Sequence, residues 1–310
     1  MPLGLIAAVL SLRRLPETTG PPPRLDLFAV ALVSSGTVGV VLGLVRGSAL
    51  GWASAATPAP LAVGVLLMAG FVVWELRAPE PMLPMRLFRS VGFSAANATG
   101  FFQAGAVFGG IFLTSQYFQL ALAQSPVATG LRLLPWTGAP LLVAPLAGAM
   151  SDRIGRRPLL VGGMILQSAS FAWLASLASP GVDYWQLAIP LALTGLGVSM
   201  VLPVAPTAVL SAVKREDLGK ASGVNSTLQR FGGAFGVAVA TSVFTAKGGL
   251  GSPTAFVDGY RPGLAVVAGL ALLGGIAAFG VAGPRRPAIV PEGRRSAGPD
   301  HPGGATAPAA

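Results

Sequence analysis

The sequence predicts an all-α polytopic membrane protein, and three observations lead there. Of its 310 residues, 53% are hydrophobic and only 10% charged, with a mean hydropathy of +0.69; an average soluble domain carries roughly 25% charge. So few charges cannot cover a water-facing surface, and so apolar a chain does not stay disordered. Eight stretches are also apolar over the roughly 20 residues that a helix needs to cross ~30 Å of hydrocarbon. Finally, the basic residues alternate between successive connections.

The predicted spans are 27–46, 59–76, 93–120, 127–150, 159–178, 186–212, 221–246 and 262–282. Their unequal lengths predict tilt and helical extensions into water. The apolar stretch Met1–Leu12 reaches only about 18 Å at ~1.5 Å per residue. No basic residue precedes it, and Arg13 and Arg14 follow it. It therefore reads as the remnant of a spanning helix rather than as a signal peptide. The connections 13–26, 77–92, 151–158 and 213–220 carry three Lys or Arg each, and the tail 283–310 carries four. Those at 47–58, 121–130 and 179–185 carry none, and 247–261 carries two. Because basic loops favour the cytoplasmic side, the chain is expected to be multi-pass in the inner (plasma) membrane with its C-terminus in the cytoplasm. Sixteen of the 21 basic residues then lie on one side. The net charge of +10 is thus solvated loop charge, and no nucleic-acid partner is expected. The tail, rich in Pro, Gly, Ala and Arg, is expected to be disordered, with Arg285, Arg286, Arg294 and Arg295 either near anionic lipid or simply solvated.

The chemistry-bearing residues exclude several function classes. There is no cysteine, and the one histidine, His301, lies in the tail. A thiolate or histidine metal site and a Ser-His-Asp triad are therefore ruled out. No paired acids lie at membrane depth, so no enzyme, metal or cofactor is expected. Asp26 and Glu75 fall at helix ends, and the other acids in loops or the tail. No buried carboxylate is placed to relay protons.

Some polar residues do fall inside the spans. Arg132 lies near the outer end of the fourth and can snorkel. Arg230, about ten residues into the seventh, has polar neighbours in Asn225, Ser226, Thr227 and Gln229. It either lines a polar cavity or marks the lipid interface. In the third span Asn97, Phe101, Phe108, Phe112, Ser115 and Gln119 fall within about 40° of one helical line. A face that mixes amides and aromatics suits a cavity for amphipathic organic molecules, or it packs on lipid or a neighbouring helix. Gly232 and Gly236 form a small-xxx-small step for close helix contact. Pro135, Pro140 and Pro145 in one span, and Pro190, Pro203 and Pro206 in another, predict bends. The connection 151–158 belongs to the motif Gly148-Ala-Met-Ser-Asp152-Arg153-Ile-Gly155-Arg156-Arg157-Pro158. In it Asp152 is expected to meet a helix N-terminus, the three arginines to hold helix C-termini or acids, and Gly155 to make the turn. Together they would latch the inner mouth.

That motif resembles the G-x-L-a-D-r-x-G-r-k loop of the major facilitator superfamily. Further stretches resemble its 14-span drug:proton antiporter branch. They are Arg24-Leu-Asp26-Leu, Gly51-Trp52, Trp74-Glu75 through Arg86-Leu-Phe88-Arg89, Gly130-Leu-Arg132 through Pro135-Trp136, and Ser222-Gly223-Val-Asn225 through Gln229-Arg230-Phe-Gly232-Gly233. The likeness covers roughly residues 1–282 in one order. It implies a major-facilitator-type C-terminal six-helix bundle (93–282) behind two linker helices (13–92), with Met1–Leu12 matching the end of the family's sixth span. The family's first five spans, where its proton-coupling acids chiefly lie, have no counterpart in these residues. The implied activity is proton-coupled efflux of drug-like or antibiotic-like amphipaths by alternating access. The implied partners are the lipid bilayer, a small-molecule substrate, protons and an N-terminal transporter half. The alternative is a truncated or half-carrier fragment that does not transport without that half. The candidate site residues are the gate motif (Gly148, Asp152, Arg153, Gly155, Arg156, Arg157) and, from the reading of the spans above, the cavity candidates Asn97, Phe101, Phe108, Phe112, Gln119, Asn225, Gln229 and Arg230.

Overall fold

The computed structural model describes residues 26–50, 58–79, 81 and 83–282. The Met1–Leu12 stretch, Gly51-Trp52 and the tail lie outside the described residues. Every regular element within them is helical. In order they are α1 (Leu27–Leu50), α2 (Pro58–Arg77), a 3-10 turn (Met85–Arg89), and α3 (Val91–Gln116), which runs on as a π turn (Tyr117–Ala121). Next come α4 (Pro126–Arg132), α5 (Leu134–Thr137), α6 (Ala139–Ile154), α7 (Arg156–Leu177), α8 (Tyr184–Val201) and α9 (Val204–Ser211). A second 3-10 turn (Arg215–Asp217), α10 (Leu218–Lys247) and α11 (Pro253–Ala278) complete the chain.

Among the described residues six helical runs are long and apolar enough to cross a membrane, and α4 to α6, bent by 47°, make a seventh if taken as one span. Three of the six prolines expected to bend the spans lie at helix starts or breaks, where the missing N–H and the crowded preceding turn act, while Pro145, Pro190 and Pro206 lie inside α6, α8 and α9. Pro135 and Pro140 open α5 and α6, and the break between α8 and α9 includes Pro203. A glycine receives the first bend: a Cβ on Gly195 of α8 would sit 2.5 Å from Trp136 O. The remaining expected crossing, α10, is 30 residues long but is too polar to count among the apolar spans. Its first half carries Lys220, Asn225, Gln229 and Arg230.

Two boundaries differ from expectation. The last helix begins at Pro253 rather than at 262. Ser252 caps it by accepting from Ala255 N at 3.1 Å, with Pro253 in the first turn, an arrangement that fixes a helix start locally. Arg261, expected in the loop, therefore lies inside α11, where Nε and Nη2 donate to Ala178 O at 3.1 and 2.7 Å. It neutralises the carbonyl end of α7. The second difference is at 148–158. Residues up to Ile154 finish α6 and Arg156 begins α7, so the expected loop shrinks to Gly155. With φ 89° that glycine turns the chain in a conformation that L side chains avoid.

The main core is shared by α3, α7, α8, α9, α10 and α11. At its charge-poor end Tyr117 stacks on Tyr260, with ring centroids 4.5 Å apart. The Tyr117 hydroxyl donates to Ser179 O at 2.6 Å and accepts from Ser179 N at 3.0 Å. Tyr117→Phe leaves both backbone groups unpaired, so a loss of about 2 kcal/mol is expected in reversible unfolding in detergent. A loss within about 0.5 kcal/mol would show that water replaces the hydroxyl.

The α1–α2 hairpin crosses at glycines: a Cβ on Gly39 would lie 2.8 Å from Gly64 Cα, and one on Gly43 2.6 Å from Leu61 Cβ. The hairpin rests on α10 through Val40, Leu44 and Ala238, with Phe231 and Phe235 packed around them. At its open end Asp26 caps α1 by accepting from Ala29 N, and it also accepts from Trp74 Nε1 at 2.6 Å. The Trp74 bond first, then the cap, holds the Asp26 carboxyl below the usual carboxylate range. Both favour the anion, so this tie holds at neutral pH and weakens only as the pH falls through that lowered value.

Three contacts then hold the segment after α2, one to the end of α2 itself and two to the start of α10. Buried Glu75 accepts from Leu83 N at 3.0 Å, Lys220 Nζ donates to Pro81 O at 2.7 Å, and Arg86 pairs with Asp217 at 3.1 Å.

Candidate functional site

The site forms where α3 meets α10. Gly105 and Gly109 of α3 face Gly232 and Gly236 of α10. A Cβ on Gly236 would overlap Gly105 O, one on Gly232 would overlap Phe101 O, and one on Gly109 would lie 3.0 Å from Gly236 O. The expected small-xxx-small step is thus half of a two-sided glycine crossing, which lets the backbones touch. Beside this seam the helices leave a cavity of about 810 Å³, within the range of small-molecule sites.

Four of the expected cavity residues line it together: Phe108, Phe112, Gln229 and Arg230. Phe108 is 56% exposed and Phe112 38%, so the rings form an open aromatic wall. Arg230 lies twelve residues beyond Leu218, about 18 Å along the helix axis and near mid-span. Arg230 is exposed and lies on the cavity wall. Ala104, Ser226, Gly233, Ala234, Val237, Ala238 and Thr241 complete the lining.

Asn97 and Asn225 lie behind the wall and are buried. They connect to the cavity through an amide chain. Asn97 Nδ2 donates to Phe93 O at 3.0 Å, Asn225 Nδ2 to Asn97 Oδ1 at 3.4 Å, and Gln229 Nε2 to Asn225 Oδ1 at 2.7 Å. Each donor is matched to an acceptor down the chain, and the Gln229 carbonyl is left at the cavity end.

Two expected residues are elsewhere. Phe101 packs against Phe231 and Phe235, with centroids 6.0 and 5.5 Å away, because the glycine crossing draws that part of α3 onto α10. Gln119 sits on the π turn and donates to Ser115 Oγ at 3.2 Å. Ser226, Gly233 and Thr241 were not singled out from the sequence as cavity residues. Extending the three- and four-residue spacing from Arg230 along α10 finds 226, 233, 237 and 241.

At the basic-loop end, Gly155 makes the turn. Arg156 Nη1 donates at 2.6 Å to Ser211 Oγ, in the last residue of α9. Arg157 lies 5.3 Å from the Phe279 ring centroid. Gly148 has open space around it. Asp152 and Arg153 are exposed. The expected contact of Asp152 with a helix N-terminus is not formed among the described residues, because Asp152 finishes α6 and points its charge toward solvent at a carbonyl end. Arg132 lies over the Tyr184 ring at 5.3 Å, while Tyr184 OH donates to Arg132 O at 3.1 Å; this holds the arginine at the charge-poor end.

Comparison with known proteins agrees with this architecture. Residues 98–306 match the family model of the Major Facilitator Superfamily. The chain is 34% identical to the tetracenomycin C resistance and export protein of Streptomyces glaucescens over 77% of this chain and 45% of that protein. It is 31% identical to the multidrug resistance protein Stp of Mycobacterium tuberculosis, over 79% and 46%. It is also 31% identical to a probable actinorhodin transporter of Streptomyces coelicolor, over 83% and 46%. The chain thus spans about half the length of the curated relatives that it matches. On its apolar helices, its fold and these matches, the chain is a multi-pass membrane protein that belongs to the Major Facilitator Superfamily.

Proposed function

We propose that the chain serves proton-coupled efflux of antibiotic-like amphipathic small molecules by alternating access. The single observation that carries this is the mid-span cavity between α3 and α10, with an aromatic wall, an amide and one cation. The names of the relatives, which speak of resistance and export, point the same way. The chain would lie in the inner membrane with its basic loops and C-terminus in the cytoplasm, among lipid, substrate and protons. Gly155, Arg156 and Arg157 would fix the α6–α7 turn of the inner gate, leaving Asp152 and Arg153 to engage groups that approach from outside the bundle.

A second reading is that these 310 residues do not transport without an N-terminal six-helix bundle. It is favoured by the exposure of Phe108 and Phe112 and by the half-length match to the relatives. Residues 93–282 would then be one half of a carrier whose substrate is enclosed between two bundles.

Everted vesicles decide between the two, with a pH-sensitive dye reporting the proton gradient and tetracenomycin C as the added compound. Dissipation of the gradient by vesicles that hold the chain alone supports the first reading in full. Dissipation only when an N-terminal bundle is co-expressed supports the second. If neither preparation responds to a panel of amphipathic antibiotics, proton-coupled efflux is wrong.

A further inference from the structure

The geometry points to a charge preference at the α3–α10 cavity: it takes planar aromatic compounds that carry an anionic oxygen, a carboxylate or phenolate, in preference to aromatic cations. This rests on the cavity being a ligand site, as proposed above, and adds which chemistry fills it.

Among the described residues Arg230 is the only charged one on the cavity wall. Among the described residues it makes no ion pair, no side-chain hydrogen bond and no stacking contact with a ring, whereas Arg86, Arg156, Arg157 and Arg261 are each engaged. A guanidinium near mid-span costs at least ~2.5 kcal/mol unless it meets water or a counter-charge. Among the described residues no Asp or Glu lines the cavity to supply one. Its fork of donors matches a carboxylate in a bidentate way. Phe108 and Phe112 offer faces for an aromatic body, and the Gln229 carbonyl, with its nitrogen held by Asn225, accepts from a hydroxyl on the same ligand. A ligand ammonium in this cavity would find no anion, and the nearest charge would repel it.

The test uses the 310-residue chain in lipid nanodiscs and three fluorescent probes of one shape. These are 9-anthracenecarboxylate, the neutral 9-anthracenemethanol and protonated 9-(aminomethyl)anthracene, each corrected for partition into empty nanodiscs. The carboxylate is expected to bind tightest. Arg230→Gln should weaken it at least about tenfold, the loss of one charge-assisted hydrogen bond, and leave the alcohol within about twofold. Arg230→Lys should restore most of the affinity, which a merely misfolded variant could not do. Ala234→Trp, which fills the cavity, should remove the binding of all three. If Ala234→Trp blocks binding but Arg230→Gln changes carboxylate and alcohol alike, or the ammonium binds as tightly as the carboxylate, the charge preference is overturned and the cavity stands. If no probe binds, or Ala234→Trp changes nothing, the cavity is not a ligand site and both readings fall.

Discussion

Replacing Gly236 by leucine is expected to cost about 3 kcal/mol or more and to separate α3 from α10. Even a lone Cβ at this position would overlap the Gly105 carbonyl oxygen, which is backbone and cannot turn aside as a side-chain end can. The helices would have to part along the seam that also sets the cavity, so ligand binding should fall with stability. Gly223→Leu is the control on the same helix. A Cβ there meets nothing within 4 Å, and a better helix former replaces glycine, so its stability should be unchanged or higher by up to ~1 kcal/mol. Denaturant unfolding in detergent checks both. Equal stability of the two variants would mean that α3 and α10 do not cross at these glycines.

The second large effect is asymmetric. Asp217 is only 3% exposed, and its Oδ2 has no partner among the described residues, while the Arg86 side chain is 55% exposed. Arg86→Ala strands a buried carboxylate and should cost about 2 kcal/mol, less than the ~3–5 kcal/mol of a pair buried on both sides. Asp217→Asn leaves an arginine that water can solvate and should cost under ~1 kcal/mol. Because this pair ties the segment after α2 to the start of α10, Arg86→Ala should also speed proteolysis between Arg77 and Ser90. If the asparagine variant is the less stable of the two, losing the acid costs more than stranding it, and this asymmetry is overturned.

Apolar length was enough to place α1, α2, α3, α7 and α8, since a lipid-facing helix has no other way to satisfy its backbone. Prolines gave the bends for the same local reason. The start of α11 was hidden because Asp258 and Arg261 look like loop charge. What makes Arg261 tolerable inside a helix is a carbonyl 83 residues away in sequence, which no local pattern reveals. The motif at 148–158 read as a loop because its charges are exposed, but a single glycine with positive φ does the work of a connection. In the site, Gln229 and Arg230 were legible from polarity inside an expected span, and Phe108 and Phe112 from helical spacing on α3. Phe101 shares their stripe yet turns away, since the glycine crossing that decides its surroundings belongs to two helices at once. Gly233 was legible only by its spacing from Arg230, for a residue without a side chain shows its role when a ring such as that of Phe108, 2.9 Å from where its Cβ would be, lies over it.

The central claim is a chain threaded through the membrane with its basic connections on the cytoplasmic side. With no native cysteine, single thiols report it cleanly, and Gly181 and Gly219 have open space where a side chain would project. A membrane-impermeant maleimide on intact cells should label Gly181→Cys at once and Gly219→Cys only after permeabilisation. Labelling of both in intact cells, or of Gly219→Cys alone, would contradict the account.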